Sequence, residues 1–209
     1  MVFPKQKPCT LYLARHGETD WNATGIVLGQ NPRPVLTKTG NRQARQIAIK
    51  LKRVVLAAVF TSDLPRTIQT AKLIIGRRRL KISTLSALRE RHYGKFDGQP
   101  AEAYEAAVAK KIKQRQRLSG LARMKFKLGP NIETDYQVYH RFTAALKKLS
   151  RQHPGKNVLV VTHGGCLRNF LVGNNLATHQ QLPKDKLMFG DYLKVGFDGA
   201  RFCLIKKVN

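Results

Sequence analysis

The chain has 209 residues, which suits one domain or one domain with a sizeable insertion, and its 42% hydrophobic residues are ordinary for a globular protein. The 39 lysine and arginine residues, against 12 aspartate and glutamate residues, give a net charge of +27. This charge attracts anions, so phosphorylated metabolites, nucleic acids and acidic membranes are candidate partners, although it is spread along the chain and is in part a trait of the source proteome.

Cysteine content and hydropathy predict a cytoplasmic protein. Cys9, Cys166 and Cys203 are odd in number and lack metal-ligand spacing, which is typical of a reduced compartment. Residues 1–8 lack the apolar core of a signal peptide, and no apolar window is long enough to span a membrane. We therefore expect no membrane association.

The first predicted strand covers residues 10–14, an apolar run that Gly17 ends. Arg15 and His16 follow it directly, and open α/β sheets bind their ligands at the carboxyl ends of strands. The alternative is an ordinary turn with a solvated arginine and histidine. A long polar loop over residues 18–34 comes next, and a helix capped by Thr37 is expected over residues 38–53.

A second βα unit is predicted around Arg66. The apolar run 56–60 leads to Ser62 and Asp63, either of which suits a helix N-cap, and Pro65 suits the first turn of a helix that extends to about residue 75. Arg66 would then join free backbone N–H groups at the positive end of the helix dipole, which favours an anion site. The alternative is an exposed helical arginine.

A third strand and its exit, over residues 79–88, lead to Glu90 between Arg89 and Arg91. Such a glutamate is most often part of a solvated ion pair. The alternative is a general acid beside a cationic pocket.

Residues 96–132 differ in character from the rest and are expected to form a small helical insertion, a cap or lid over the site. Residues 101–109 favour a helix, and residues 110–127 carry many cations and few acids. A solvated basic helix face is the alternative. If the segment caps the site, Lys111, Arg115 and Arg117 are the cations expected to bind a distal charge of the substrate.

The remainder predicts an amphipathic helix over 133–149, a fourth strand over 157–161, a helix over 166–176 and two short strands over 192–197 and 202–206. His163 stands at the carboxyl end of the fourth strand. In a doubly wound sheet, these strand ends converge on one crevice. Two imidazoles, two guanidiniums and two helix N-termini there would form a phosphate pocket, with a neutral histidine as nucleophile and Glu90 as proton donor.

The motifs along the chain resemble those of the histidine phosphatase superfamily, also called the phosphoglycerate mutase-like fold. In order, they are Arg15-His16-Gly17-Glu18-Thr19, Trp21-Asn22, Ser62-Asp63-Leu64-x-Arg66 with Gln69-Thr70-Ala71, Leu88-x-Glu90-Arg91-x-x-Gly94-x-x-x-Gly98 and Thr162-His163-Gly164-Gly165. The resemblance implies a three-layer α/β/α, mostly parallel sheet in a single domain over residues 1–209, with the insertion at about 96–132.

The resemblance also implies roles for individual residues. His16 becomes phosphohistidine, and Glu90 is the proton donor. Arg15, Arg66 and His163 hold the phosphoryl group, which makes His163 part of the catalytic set, and Asn22 assists them. Weaker candidates for substrate binding are Gly29, Arg91, Tyr93 and Gly164. Neither a metal nor an organic cofactor is implied.

The branch of the family is a separate question. Glu90-Arg91-His92-Tyr93-Gly94 looks like the cofactor-dependent mutases, whose tyrosine contacts the phosphoglycerate. Against this, Ala101 stands about where mutases carry a lysine, and Gly165 stands where they carry an asparagine. The segment between Glu90 and His163 is also shorter than in mutases. We therefore interpret the chain as a metal-independent phosphatase that acts on a small phosphorylated metabolite, a sugar phosphate or phosphoglycerate.

Three alternatives stay open at this stage. The first is a phosphoglycerate mutase. The second is a nucleic-acid or polyanion binder that kept the fold, although Phe126 is the only aromatic residue in the basic run 110–127. The third is a metal hydrolase built on His16, His163 and Glu90, which the neighbouring arginines disfavour because they repel a divalent cation. The sequence also leaves open whether the protein forms a homodimer.

Overall fold

A six-stranded sheet organises the chain in the computed structural model, which describes residues 7–182 and 189–207. Its strands are β1 (Cys9–Arg15), β2 (Ala58–Thr61), β3 (Ile82–Thr84), β4 (Asn157–Thr162), β5 (Tyr192–Phe197) and β6 (Phe202–Lys207), in the spatial order β3-β2-β4-β1-β5-β6. The first four strands in that order run parallel, whereas β5 and β6 are antiparallel to their neighbours. The predicted α/β fold with a mostly parallel sheet is confirmed.

Helices cover both faces of this sheet. They are α1 (Asp20–Ala23), α2 (Lys38–Lys50), α3 (Pro65–Ile75), α4 (Ala101–Gln116), α5 (Gly120–Lys125), α6 (Asp135–Gln152) and α7 (Gly164–Gly173). Side chains of α2 and α3 pack on one face, and those of α6 and α7 pack on the other. This arrangement is the predicted three-layer, doubly wound architecture.

The alternation of side chains along β1 explains the three layers. Leu11 and Leu13 join the apolar cluster under α6 and α7, whereas Tyr12 and Ala14 join the cluster under α2 and α3. A strand that is buried on both faces has no polar side, so it appears in the sequence as a continuous apolar run.

The ends of several elements differ from those predicted. The N-cap of α3 is Leu64, whose side chain has no hydrogen-bond acceptor, and not the predicted Ser62 or Asp63. The Ser62 hydroxyl instead contacts Thr67 and His163, and the Asp63 carboxylate accepts from Arg89. Helix α7 begins at Gly164, directly after its N-cap His163, and so starts two residues before the predicted helix. Helix α4 continues through the basic run as far as Gln116, well beyond the predicted end at residue 109.

The insertion has a small apolar core of its own. Val108, Leu128 and Ile132 are buried together, with Phe96 and Tyr104 packed against them. A backbone bridge between Tyr93 and Ile132 ties the end of this segment to the strand exit that carries Glu90. Within residues 7–182 and 189–207, no helix is both long and apolar enough to cross a membrane.

Candidate active site

Three neighbouring parallel strands end level with one another. Arg15 is in register with Thr162, and Val161 is in register with both Ala14 and Thr61. The residues that follow these positions, His16, Ser62 and His163, therefore meet at one edge of the sheet. The rings of His16 and His163 have their centroids 5.1 Å apart, so the predicted convergence of these strand ends is observed.

His16 is held as a neutral imidazole with a defined tautomer. It is 2% exposed, and its Nδ1 lies 2.8 Å from the carbonyl oxygen of Gly17. Because a carbonyl only accepts, the proton is on Nδ1 and the lone pair is on Nε2. Burial, followed by the charges of Arg66 and Arg15, holds the pKa of His16 well below its usual value.

Gly17 has to be glycine because its backbone packs directly against the backbone of α2. A Cβ at this position would lie 2.3 Å from the carbonyl oxygen of Gly40, the third residue of α2. The backbone therefore approaches α2 more closely than any side chain permits. The Gly17 amide donates to Thr70 Oγ1 at 3.1 Å, which fixes the turn against α3.

His163 has the opposite tautomer. Arg66 donates from Nη2 to His163 Nδ1 at 3.3 Å, which places the lone pair on Nδ1 and the proton on Nε2. That Nε2 lies 2.8 Å from Ser62 Oγ, which in turn lies 2.8 Å from Thr67 Oγ1. Burial and then the charge of Arg66 hold the pKa of His163 well below its usual value, so the ring is neutral.

Arg66 is fully buried and is oriented by the loop that follows β1. Its Nη1 donates to the Asn31 carbonyl and its Nη2 to the Gly29 carbonyl, both at 2.8 Å. Burial lowers its pKa to about 10, so the guanidinium is still charged at neutral pH. Gly29, predicted to bind substrate, supports Arg66 through its carbonyl, and its contact with substrate stays a prediction.

Glu90 has no ion pair with the arginines that flank it. Arg89 donates to both carboxylate oxygens of Asp63 at 2.6 Å, and Arg91 pairs with Asp135. The carboxylate of Glu90 accepts instead from two backbone amides, that of Arg91 at 2.7 Å and that of Gly165 at 3.0 Å. The solvated ion pair is therefore wrong for Glu90, whose carboxylate is held at the N-terminus of α7.

A cavity of about 1030 Å³ lies between these strand ends and the insertion. Several predicted residues line it, namely Arg15, Asn22, Glu90, Arg91, Tyr93 and Gly164. His16, Arg66 and His163 are buried behind this wall, with exposed fractions of 2%, 0% and 0%. Phe189 also lines the cavity and covers the guanidinium of Arg15, with its ring centroid 3.8 Å from Cζ.

The cations that the insertion contributes to the cavity differ from those expected. Of Lys111, Arg115 and Arg117, only Arg115 lines it, whereas the side chains of Lys111 and Arg117 are exposed. Arg123 on α5, Arg168 on α7 and His179 line it as well. The expectation is therefore wrong for Lys111 and Arg117, which are exposed and do not line the cavity.

A family model described as the histidine phosphatase superfamily (branch 1) matches residues 11–201. The chain belongs to the histidine phosphatase superfamily. This membership, predicted from the motifs, is confirmed.

Relatives of this chain have names of two kinds. The probable phosphoglycerate mutase GpmB of Yersinia enterocolitica is 34% identical over 166 residues, which cover 78% of this chain and 74% of that protein. The phosphoglycerate mutase of Bacillus anthracis matches in structure with a TM-score of 0.84 at 23% identity, over 98% of this chain and 94% of that one. A mycobacterial glucosyl-3-phosphoglycerate phosphatase matches with a TM-score of 0.75 at 22% identity, over 93% and 96%. At these identities the two structures show a shared fold.

Two residues that support this candidate site are absent from the sequence predictions. Arg141 on α6 donates to the carbonyls of Ala87, Arg89 and Glu90 and is itself held by Glu133, so it fixes the strand exit that carries Glu90. Phe189 is the other. Neither residue lies in one of the motifs, and each is distant in sequence from the residues that it supports. Arg141 is also one of many arginines in a strongly basic chain.

A buried ion-pair network joins the strand exit after β3 and α6 to α4. Asp135, 5% exposed, accepts from Arg91 at one carboxylate oxygen and from Arg115 at the other, the latter at 3.2 Å. Burial alone would raise the pKa of Asp135, but the two arginines lower it below its usual value. Arg91 and Arg115 are thereby held at the cavity wall.

Replacing Asp135 by asparagine should destabilise the fold by about 3–5 kcal/mol, because Arg91 and Arg115 would lose the carboxylate that they share in a buried site. Since the folded-state pKa of Asp135 is lowered, its stabilisation is present above about pH 4 and is lost as the pH falls through the folded-state pKa. Urea unfolding of both proteins at several pH values measures this. Glu102→Gln, at an exposed glutamate near the start of α4, should behave as wild type, and equal unfolding midpoints for wild type and Asp135→Asn would contradict the prediction.

Proposed function

We propose that this protein hydrolyses the phosphomonoester bond of a small phosphorylated metabolite through a phosphohistidine formed on His16. The observation that carries the proposal is the state of His16. Its Nδ1 proton is bonded to the Gly17 carbonyl, so a neutral ring presents the Nε2 lone pair beside two guanidiniums. A neutral imidazole in a field of positive charge is a competent nucleophile toward a phosphoryl group.

In the first step, Nε2 of His16 forms a bond to phosphorus while the bond from phosphorus to the ester oxygen breaks. Arg15 and Arg66 hold phosphoryl oxygens through their guanidiniums, with His163 beside them and Asn22 on the cavity wall. Glu90 gives its proton to the departing oxygen, which leaves as an alcohol.

In the second step, water attacks the phosphorus of the phosphohistidine, and the carboxylate of Glu90 accepts a proton from that water. The bond between nitrogen and phosphorus breaks, inorganic phosphate leaves, and both His16 and Glu90 return to their starting states. Release of inorganic phosphate from a panel of phosphorylated metabolites tests this proposal, and no release from any member would contradict it.

A phosphoglycerate mutase is the second candidate, favoured by the name of the Yersinia relative and by the Glu90-Arg91-His92-Tyr93-Gly94 motif. Two observations support the hydrolase instead. Ala101, at the position of the mutase lysine, lines the cavity without a charge. A Cβ at Gly165 would lie 2.2 Å from Glu90 Oε1, so an asparagine there, as mutases carry, would require Glu90 to move.

The two candidates differ in their products. We expect 3-phosphoglycerate, if it is turned over at all, to yield inorganic phosphate rather than 2-phosphoglycerate, whether or not a bisphosphoglycerate is added. Phosphorus NMR of the reaction mixture follows all these species at once. Isomerisation that depends on added bisphosphoglycerate would make the protein a mutase.

Chelation should leave the activity unchanged, because the proposed steps use only side chains of this chain. Among the described residues, no group of three histidine, cysteine, aspartate or glutamate side chains is placed to hold a metal ion. Phosphate release measured before and after treatment with EDTA tests this expectation. A loss that a divalent metal restores would favour the metal hydrolase instead.

A further inference from the structure

Asp97 is an acidic residue that the proposed reaction does not use and that does not line the cavity. Its side chain is only 14% exposed, and each carboxylate oxygen accepts from one backbone amide. Oδ1 accepts from Tyr93 at 2.9 Å, and Oδ2 accepts from Gln30 at 3.0 Å. A further contact is His92, whose Nε2 lies 3.6 Å from Oδ2. The carboxylate therefore joins the strand exit that carries Glu90 to the loop after β1.

One peptide unit connects this carboxylate to Arg66. The N–H of that unit is the Gln30 amide, which donates to Asp97, and its C=O is the Gly29 carbonyl, which accepts from Arg66 Nη2 at 2.8 Å. Because a peptide unit is planar, fixing its N–H also fixes the direction of its carbonyl. A carboxylate that accepts from the N–H polarises the unit as well, which strengthens the carbonyl as an acceptor.

Gly29 allows Asp97 to approach this peptide unit. Its φ is +46°, and a Cβ at this position would overlap the Asp97 carboxylate. Backbone bonds next to this contact pair the two segments, since Gly98 donates to the Val27 carbonyl at 2.8 Å and Val27 donates to the Gln99 carbonyl at 2.9 Å. The carboxylate therefore occupies the space that a side chain at position 29 would need.

Arg66 has one more donor for the site. Its Nη2 also donates to His163 Nδ1 at 3.3 Å, and across residues 7–182 and 189–207 its buried Nε has no hydrogen-bond partner. A buried donor without a partner favours an anionic ligand, here an oxygen of the phosphoryl group. The Gly29 and Asn31 carbonyls hold the two terminal nitrogens, so they decide where this N–H points.

We propose that Asp97 is a positioning residue: it holds the peptide unit between Gly29 and Gln30 and thereby aims the Arg66 guanidinium at the phosphoryl group. The inference rests on the proposed function, which gives Arg66 a phosphoryl group to bind. An effect of Asp97 through its charge alone would have the opposite sign. Burial lowers the pKa of Arg66 to about 10, and the charges of Glu90 and then Asp97 oppose this change. A carboxylate that acts only through charge repels phosphate, so its removal would tighten phosphate binding, whereas loss of a positioning residue weakens it.

Binding of inorganic phosphate, measured by calorimetry, tests the inference. Asp97→Asn keeps the shape of the side chain but turns an NH2 group toward the N–H of Tyr93 or of Gln30, each of which needs an acceptor. Its dissociation constant for phosphate should be about tenfold higher than that of wild type, the effect of weakening one charge-assisted bond. Gly29→Ala displaces the same peptide unit and keeps the charge, so it should weaken binding too. The double variant should bind about as weakly as the weaker single variant, because both changes act on one contact.

Two variants serve as controls. Glu105→Gln removes an exposed carboxylate from the cavity wall, and His92→Gln removes the remaining contact of Asp97 while both amide bonds stay. Neither should weaken phosphate binding. Phosphate binding by Asp97→Asn that equals or exceeds that of wild type would overturn the inference, and so would an equal loss in either control.

The position of Arg66 can also be followed without a ligand, through the NMR resonances of its guanidinium, which Arg66→Lys assigns. We expect these resonances to shift in Asp97→Asn and to stay in place in Glu105→Gln. That shift supports the inference even if wild type binds no phosphate, a result that would contradict the proposed function alone. Identical guanidinium resonances in wild type and Asp97→Asn would exclude the positioning role.

Discussion

His16→Ala should release no measurable phosphate and form no phosphoenzyme, a loss of about 10⁴-fold or more. The reason is that the variant has no nitrogen to form the bond to phosphorus, whereas the guanidiniums of Arg15 and Arg66 still bind the phosphoryl group. Wild type that is quenched during turnover should carry acid-labile, base-stable phosphate, as expected of a phosphohistidine. Initial rates and trapping with radiolabelled substrate measure both effects.

His140→Ala is the matched control, because His140 is an exposed histidine on α6, stacked on Tyr136 and away from the cavity. It should keep full activity and the labile phosphate. His16→Gln provides a variant of similar size, and circular dichroism shows whether each variant is folded. A folded His16→Ala protein with normal turnover would eliminate the covalent mechanism.

Glu90→Gln should lower turnover of alkyl phosphates by roughly 10²–10⁴-fold, the usual contribution of a general acid. The amide keeps the shape of the carboxyl and still accepts from the Gly165 and Arg91 amides, but it has no proton to transfer. An alkoxide is a poor leaving group without that proton. A nitrophenolate leaves readily, so phosphoenzyme formation from p-nitrophenyl phosphate should be much less affected.

Glu102→Gln is the control here, since Glu102 is an exposed glutamate near the start of α4. Its rates on both substrates should equal those of wild type. The measurement is the burst rate, which reports phosphoenzyme formation alone, for a series of esters with leaving groups of different basicity. A loss of equal size across the whole series would remove Glu90 from the role of proton donor.

Local patterns in the sequence determined the architecture and the centre of the site. The run from Cys9 to Arg15 is apolar on both faces, which specifies a buried strand, and Gly17 marks its end. The same order of strand, polar turn and helix recurs at Arg66 and His163. Because parallel strands place their carboxyl ends at one edge, three local signals were enough to predict that His16, Arg66 and His163 meet.

The tertiary structure alone decided which charges face each other. Asp63 is 26 residues from Arg89, and Asp135 is 44 residues from Arg91. Because Arg89 and Arg91 are engaged in these two pairs, the carboxylate of Glu90 accepts instead from the backbone amide of Gly165. Residues 110–127 show the same limit, since Arg123 lines the cavity and Lys111 does not, although both belong to one basic run.

The physical reason is the range of the interactions. Side-chain alternation and glycine turns depend on neighbours within a few residues, so short stretches of sequence are enough to predict them. An ion pair depends on which turns and helices approach each other, and in a chain with 39 lysine and arginine residues every acid has many candidate partners. Composition and spacing therefore predicted the sheet and the phosphate pocket, while packing selected the partners of Glu90, Asp135 and Arg66.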